Sequence, residues 1–489
     1  MSKNNQFDSN SFVIVGGGVT GLFISWRLAQ LGYKITLLEF QKFLGGLSTS
    51  IEDKGYRLDI GPHELLFPKN MSQSEEIKQL MGSENIFEIS DTRKYLFEGR
   101  LFASNPNLYQ VIFQFGKKYF VSSTKDFIKS RIKQFFSSTS FSTSEEYLIG
   151  TYGKFLYKTW FVPYLLRQFK TTDVSIDEIK STFEPPTLKS IFSFSLNKFK
   201  KSQSSKPKKQ PEIEYNNWYF KYGMGSFIEK LQENIIQLGG TIITNSDIQS
   251  IQHKNSPKSI VYQKESKITE ITADSIIYCT PLSVTCKWFK NIPNEMLEKI
   301  STPKSMNSIM VFLYVNNPSL FDAWIVNSFS PEYVFFRISQ QTRLSKFIAP
   351  KNKSLICVEI RVGHDDPLWK KDDQLIFNKT INDLKKSKIL NQEKIDGFKI
   401  LKLKNIYPID VKSGEDLELE KSIISLLESY DNEFLLSAIE ADGGRISSSN
   451  LSSKYQSKVR ETGIFRAIMN AEKLFAKISP DSKHNYQNF

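Results

Sequence analysis

The stretch from Phe12 to Glu39 constrains this chain more than any other. Phe12 to Val15 is a short apolar run, followed at once by Gly16-Gly17-Gly18-Val19-Thr20-Gly21; Leu22 to Gly32 reads as a helix stopped by Gly32, and Tyr33 to Glu39 is a second apolar run. Strand, turn, helix, strand is a βαβ unit, and such a unit predicts an α/β fold with a parallel sheet. The turn itself carries chemistry. The first glycine permits a sharp bend, the second lets a pyrophosphate approach the backbone, and the third lets helix pack on strand, while the helix N-terminus offers unpaired N–H groups. Glu39 lies eighteen positions beyond Gly21 at the end of the second strand, where a carboxylate can accept hydrogen bonds from ribose hydroxyls and disfavours a 2′-phosphate. Gly16, Gly18, Val19, Thr20, Gly21 and Glu39 are therefore candidate contacts to a dinucleotide.

The rest of the chain must supply what such a unit lacks. At 489 residues it exceeds the usual single core, which predicts two domains. A 40% hydrophobic content with 38 Phe gives ample surface to bury and excludes a disordered chain. Sixty-five Lys and Arg against 52 Asp and Glu leave a formal charge of +13, which suits anionic partners or reflects a solvated lysine-rich surface. Cys279, Cys286 and Cys357 form no CxxC pair, a pattern expected in a reducing compartment. No signal peptide is expected ahead of Phe12, and no apolar run reaches the roughly 18 residues of a membrane span. A cytoplasmic protein, soluble or peripherally attached to a membrane, is the expectation. No histidine spacing suggests a metal site.

Further along, residues 91–200 read as mostly helical, with periodicity over Lys117 to Phe136 and Glu145 to Phe169. Residues 197–211 carry six Lys with Ser, Gln and Pro and read as a mobile surface loop. A helix is predicted from Ser226 to Leu238, then the strands Thr241 to Thr244 and Ala273 to Thr280, which suit a return to the nucleotide domain. Alternating runs between 305 and 362 predict an antiparallel sheet, followed by a helix over Asp372 to Lys386 and a final helix from Glu461 to Ile478. The expected division is a discontinuous nucleotide domain (1–90, 222–282 and 430–489) and a substrate domain (91–221 and 283–429).

Two further segments separate one cofactor from another. Phe43-Leu44-Gly45-Gly46-Leu47-Ser48-Thr49 and Leu58-Asp59-Ile60-Gly61-Pro62-His63 resemble the amine oxidase and protoporphyrinogen oxidase-like flavoproteins, in which a Gly-Gly pair follows the ribose-binding acid and a D-x-G motif lies shortly after. Gly61-Pro62-His63 is also similar to the GPH segment of UDP-galactopyranose mutases, which lies beside the flavin ring. The likeness extends to Tyr152 through Tyr164, to Tyr222-Gly223-Met224-Gly225-Ser226-Phe227, and to the segments around Arg337, Glu359, Trp369 and Tyr407-Pro408. It implies an FAD-binding Rossmann-like domain with a glutathione reductase-type sheet and a discontinuous α+β substrate domain. It adds Gly45, Gly46, Leu47, Gly61, Pro62 and His63 as cofactor contacts, with Ile248, Asp442 and Arg445 completing the set. Leu47 stands where the family usually has a basic residue, and Glu440-Ala441-Asp442-Gly443-Gly444-Arg445 departs from the family's C-terminal motif. No second glycine fingerprint follows a strand, so a separate NAD(P)H domain is not expected.

His63 is the candidate proton-transfer residue, since imidazole titrates near neutral pH; its plainer reading is a loop histidine bound to backbone. Arg167, Arg337 and Arg343 could grip an anionic group of a small-molecule substrate or form ion pairs, and Trp324 and Tyr407 could wall a pocket or fill a core. The stretch Val111 to Phe136 interleaves aromatics with lysines, as a helix on an anionic membrane or a packed helix with a wet basic face would. Nucleic acid has no motif behind the charge. Three functions follow: an FAD-dependent oxidoreductase that takes a hydride from a small molecule, a flavin-dependent sugar-nucleotide mutase-like isomerase, and an inactive flavin-binding scaffold.

Overall fold

The apolar run Ser11–Val15 (β1) becomes the middle strand of a five-stranded sheet in the order Thr241–Ile243, Lys34–Leu38 (β2), β1, Ser275–Tyr278, Glu433–Leu435. Every pairing in it is parallel. Such a strand is covered on both faces, which explains its unbroken hydrophobicity. Phe12 and Ile14 face the helices Val19–Gln30 (α1), Gly225–Gln237 and Gly463–Ile478, whereas Val13 and Val15 face the antiparallel strands between 247 and 273 and the helices that follow them. In this computed structural model the described residues are 10–103, 117–136, 141–183, 215–301, 305–408, 414–436 and 463–479, apart from a few positions within these spans. The predicted loop at 197–211 and the candidates Asp442 and Arg445 lie outside them.

A seven-stranded sheet forms the second, α+β unit. Its order is Ile395–Pro408, Ser305–Val315, Ser354–Val362, Arg337–Gln340, Ile325–Ser328, Arg93–Phe97, Arg100–Ala103. Alternation along each strand gives two unlike faces. Ile309, Val311, Val358 and Ile360 pack behind it against Ile376 and Leu384 of the helix Asp373–Lys386, which Asp372 caps by accepting from Leu375 N at 2.8 Å. Met310, Phe312 and Cys357 look the other way, onto Tyr56 and Leu58 of the nucleotide-binding unit. Tyr314 stacks on Tyr56 with ring centroids 4.3 Å apart.

Three local readings change. The strands Arg93–Phe97 and Arg100–Ala103, in a stretch read as mostly helical, belong to this sheet: Arg93–Phe97 pairs with distant Ile325–Ser328, and Arg100–Ala103 folds back onto it as an edge hairpin. The helix expected over Glu145 to Phe169 breaks at Gly153 (φ +90°) and passes through a π-helical turn, Tyr157–Phe161, ahead of Pro163. Proline has no N–H to donate and its ring crowds the preceding turn, which the wider π turn relieves. The strand Ile395–Pro408 was not foreseen; its lysines suit a sheet edge, which it occupies.

Candidate functional site

At the mouth of the parallel sheet, backbone rather than side chains defines the shape. Gly16 adopts φ +107°, directly after β1, where a side chain would meet the Cys279 carbonyl oxygen at 2.9 Å. A Cβ on Gly21 would lie 1.9 Å from the Gly16 carbonyl oxygen, so α1 can touch the turn only through a glycine there. Gly18 is different. A Cβ on it would meet nothing within 4 Å, and one on Gly46 would meet only the Gly18 Cα at 3.8 Å. Gly18 bridges to Gly45, whose N–H donates to the Gly17 carbonyl at 2.8 Å. The two glycine segments thus line an open cradle at the start of α1, whose N-terminus has no side-chain cap. That cradle suits a dinucleotide pyrophosphate, which Val19, Thr20 and Gly21 would meet through the first turn of α1. Glu39 braces one wall, accepting from Gly17 N at 2.6 Å and Gln41 N at 2.7 Å.

Beneath the cradle, Asp59 ties its own Leu58–His63 segment to the turn at Tyr222–Phe227 and to Ser50 just after the Gly-Gly segment. Its carboxylate, 1% exposed, accepts from Ser50 Oγ at 2.5 Å, Tyr219 Oη at 2.5 Å and Met224 N at 3.0 Å. Burial, and then the Asp59 charge, push the Tyr219 phenol well above its usual range, so it remains a donor. Gly223 and Gly225 let their turn close on this group, since side chains there would strike Asp59 and Ser50. Gln341, 280 residues from Gly61 in sequence, donates to the Asp59 carbonyl at 2.9 Å and the Gly61 carbonyl at 3.2 Å. Ser50, Tyr219 and Gln341 were absent from the sequence-derived site. Ser50 sits just beyond the Gly-Gly pair, but no local pattern marks Gln341.

The Gly-Pro-His segment forms the wall beyond. His63 Nε2 faces the Leu47 carbonyl at 2.9 Å and the Ile60 carbonyl at 3.0 Å, so this nitrogen carries the proton that both acceptors share. Leu47 is 42% exposed, and its carbonyl holds His63. Next to His63, Glu64 pairs with Arg93, whose guanidinium lies 5.6 Å from the ring centre of buried Trp324.

Other candidates are placed more plainly. Arg337 donates Nε to Glu359 Oε2 at 2.8 Å on the sheet face that carries Met310 and Cys357. Arg167 clasps the carbonyls of Ser330 at 2.9 Å and Phe335 at 3.1 Å, and burial lowers its pKa. Arg343 pairs with exposed Asp322 at 2.8 Å. Tyr407 pairs with Met306 in strand register, and Ile248 lies half-buried on Asp247–Gln252. Among the described residues there is no cluster of potential metal ligands, and no helix is long and apolar enough to cross a membrane.

Residues 14–82 match a family model described as an NAD(P)-binding Rossmann-like domain. A phytoene desaturase of Phycomyces blakesleeanus is 23% identical over 386 residues, covering 72% of this chain and 65% of the relative. A coproporphyrinogen III oxidase of Staphylococcus aureus is 24% identical over 302 residues, 58% of this chain and 63% of the relative. The chain thus spans less than two thirds of the length of these curated relatives. A solved UDP-galactopyranose mutase shares the fold, with a TM-score of 0.75 at 15% identity over 97% of this chain and 94% of the other. The family-model match runs through the cradle itself: the chain carries a Rossmann-like nucleotide-binding domain, is similar to these relatives, and shares its fold with the mutase.

Proposed function

We propose that this protein is an FAD-dependent oxidoreductase that removes a hydride from a C–C, C–N or C–O position of a small molecule. One observation carries the reading: the open cradle between Gly18 and Gly46 at the uncapped start of α1, with Glu39 beside it. The second glycine wall, Gly45-Gly46, and the Asp59 anchor favour FAD over NAD. Five parallel strands with a three-stranded antiparallel insert support a glutathione reductase-type sheet. The two unlike sheets support a division between a discontinuous cofactor domain and a substrate domain.

When bound, the flavin would supply the redox chemistry. The chain's own residues hold and orient. Gly18 and Gly46 leave room for the pyrophosphate, and Asp59 fixes the Gly61-Pro62-His63 wall through Ser50, Tyr219 and Met224. His63 has Nε2 committed to two carbonyls, so any proton it exchanges passes through Nδ1. The desaturase name of the Phycomyces relative supports a carbon–carbon position.

The test is the purified protein itself. Released FAD identified by mass, and bleaching of its absorbance by substrate without oxygen, are the expected results. Colourless protein that refuses added FAD would overturn the reading, and turnover only by pre-reduced protein would replace it with isomerisation.

A further inference from the structure

The wall segment is bounded by a buried carboxylate at each end. Asp59 stands before Gly61-Pro62-His63, and Glu64, 8% exposed, stands directly after it. From Glu64 the chain enters the strand Leu65–Pro68, which pairs with Tyr215–Phe220, and that strand pairs in turn with Ile86–Glu88. Leu65, Phe67, Trp218 and Phe220 share one core with Phe12 and Ile14, so this small sheet packs as one body with the parallel sheet. Asn217 and Tyr219 alternate onto its other face. There Tyr219 donates to Asp59, and Asn217 Nδ2 donates to Glu64 Oε2 at 3.0 Å.

One amide N–H does not balance a buried carboxylate, which needs a cation beside it. Arg93 supplies that cation to Glu64 Oε1, and it comes from the other body. It opens the strand Arg93–Phe97 and lies opposite Ile325 in the seven-stranded sheet. Trp324, next to Ile325 and 1% exposed, has its ring centre 5.6 Å from the guanidinium carbon, and its backbone N–H donates to the Thr92 carbonyl at 3.2 Å. A planar guanidinium can lay its face near an indole and still give N–H groups to a carboxylate, whereas an ammonium offers only its charge. Gln341, at the end of the strand Arg337–Gln340 in the same sheet, holds the Asp59 and Gly61 carbonyls. The seven-stranded sheet thus grips the wall on both sides of His63.

We propose that Arg93 is a positioning residue: acting through Glu64, it locks the seven-stranded sheet against the Gly61-Pro62-His63 wall and so sets how the two bodies stand around the cofactor. The cofactor half of the proposal rests on the oxidoreductase reading, whereas the lock is measurable without it.

Hydrogen exchange of the full-length protein reads the lock, and visible circular dichroism of bound FAD reads the position. In Arg93→Met, peptides spanning 60–68 and 93–97 should exchange about tenfold faster, while the peptide spanning 11–15 exchanges as in the native protein. Arg93→Lys keeps a charge for Glu64 without the flat face toward Trp324, so it should recover part of the protection. Flavin content should stay unchanged in both, because the cradle and the Asp59 carboxylate keep their partners; the dichroic band should change in Arg93→Met and return toward native in Arg93→Lys. Glu64→Gln keeps the test open should Arg93→Met not fold. Asn217 Oδ1, buried without a hydrogen bond, can turn to accept from the new amide, so a smaller rise in the same peptides is expected. Unchanged exchange at 60–68 in Arg93→Met and Glu64→Gln would overturn the proposal, as would a rise shared equally by 11–15, the mark of general destabilisation. Faster local exchange with an unaltered dichroic band would also overturn it, since Arg93 would then join the bodies without placing the cofactor. Colourless protein that shows the local rise upholds the lock and defeats the oxidoreductase reading; yellow protein without the rise does the reverse.

Discussion

The cradle and the Asp59 anchor lie side by side but are specified in opposite ways. The cradle is made of backbone: four glycines within a few residues of β1 and Gly45-Gly46 set its shape by what they lack. The anchor is made of side chains from Ser50, Asp59 and Tyr219, with Gln341 clasping the same segment from the other sheet. A site built from missing side chains tolerates almost no additions where the chain is close-packed, yet is indifferent where it opens. A site built from buried polar groups fails by losing partners.

Gly21 and Gly18 give the sharpest way to break this comparison. Gly21→Ala forces a Cβ into the Gly16 carbonyl and should destabilise the protein by more than about 3 kcal/mol, visible as collapse of soluble yield and melting temperature. Gly18→Ala meets no neighbour, and Gly18 has φ −69°, so stability should stay within about 0.5 kcal/mol while retained flavin falls about tenfold. Equal melting loss in both variants would show that Gly18 serves packing rather than the cofactor.

Next in size is the anchor. Asp59→Ala leaves Tyr219, Ser50 and Met224 N–H without their acceptor and should cost about 2–4 kcal/mol in urea unfolding, with weaker flavin retention as the Gly61-Pro62-His63 wall loosens. Gln341→Leu removes the clasp on the Asp59 and Gly61 carbonyls and the acceptor of the Asp59 N–H but leaves the carboxylate's own partners in place, so about 1–2 kcal/mol is expected. If Gln341→Leu matched Asp59→Ala, the clasp between the units and not the carboxylate would be the organising element.

The smallest effect is at the start of the parallel sheet. Asp274 accepts from Ser11 Oγ at 2.7 Å and from Ser11 N at 2.9 Å, and the Ser11 hydroxyl first among the causes holds its pKa below the ordinary 3.8. A depressed carboxylate contributes stability that is present above its unfolded pKa and is lost as pH falls through its folded value. Ser11→Ala should therefore cost under about 1 kcal/mol at neutral pH, and the difference from the native protein should shrink below pH 3.8 in acid titration of stability.

Legibility in the sequence followed the same divide. Gly16-x-Gly18-x-x-Gly21 and Glu39 were readable because strand, turn and helix are contiguous, and the contact of Gly21 with the Gly16 carbonyl lies within that one turn. The helices Asp373–Lys386 and Gly463–Ile478 emerged close to their expected bounds because apolar periodicity is also local. Arg93–Phe97 was misread as part of a helical stretch; it pairs on one side with the hairpin strand Arg100–Ala103 and on the other with Ile325–Ser328, more than 200 residues away, which sets its place in the sheet. The π turn at Tyr157–Phe161 shows an intermediate case: Pro163 announces a disturbance, but periodicity alone does not reveal its form.

By itself, then, the sequence determined that β1, its glycine turn and α1 would form one contiguous strand, turn and helix, because α1 packs on the turn through Gly21, only five residues from the Gly16 carbonyl it meets. Only the tertiary structure decided that Asp59 would accept from Tyr219 and Met224 more than 150 residues on, that Gln341 would clasp Gly61, and that Tyr95, Trp160 and Phe329 would enclose one cleft. Buried carboxylates need donors and aromatic faces need one another, but which distant segment supplies them is set by how the two sheets pack.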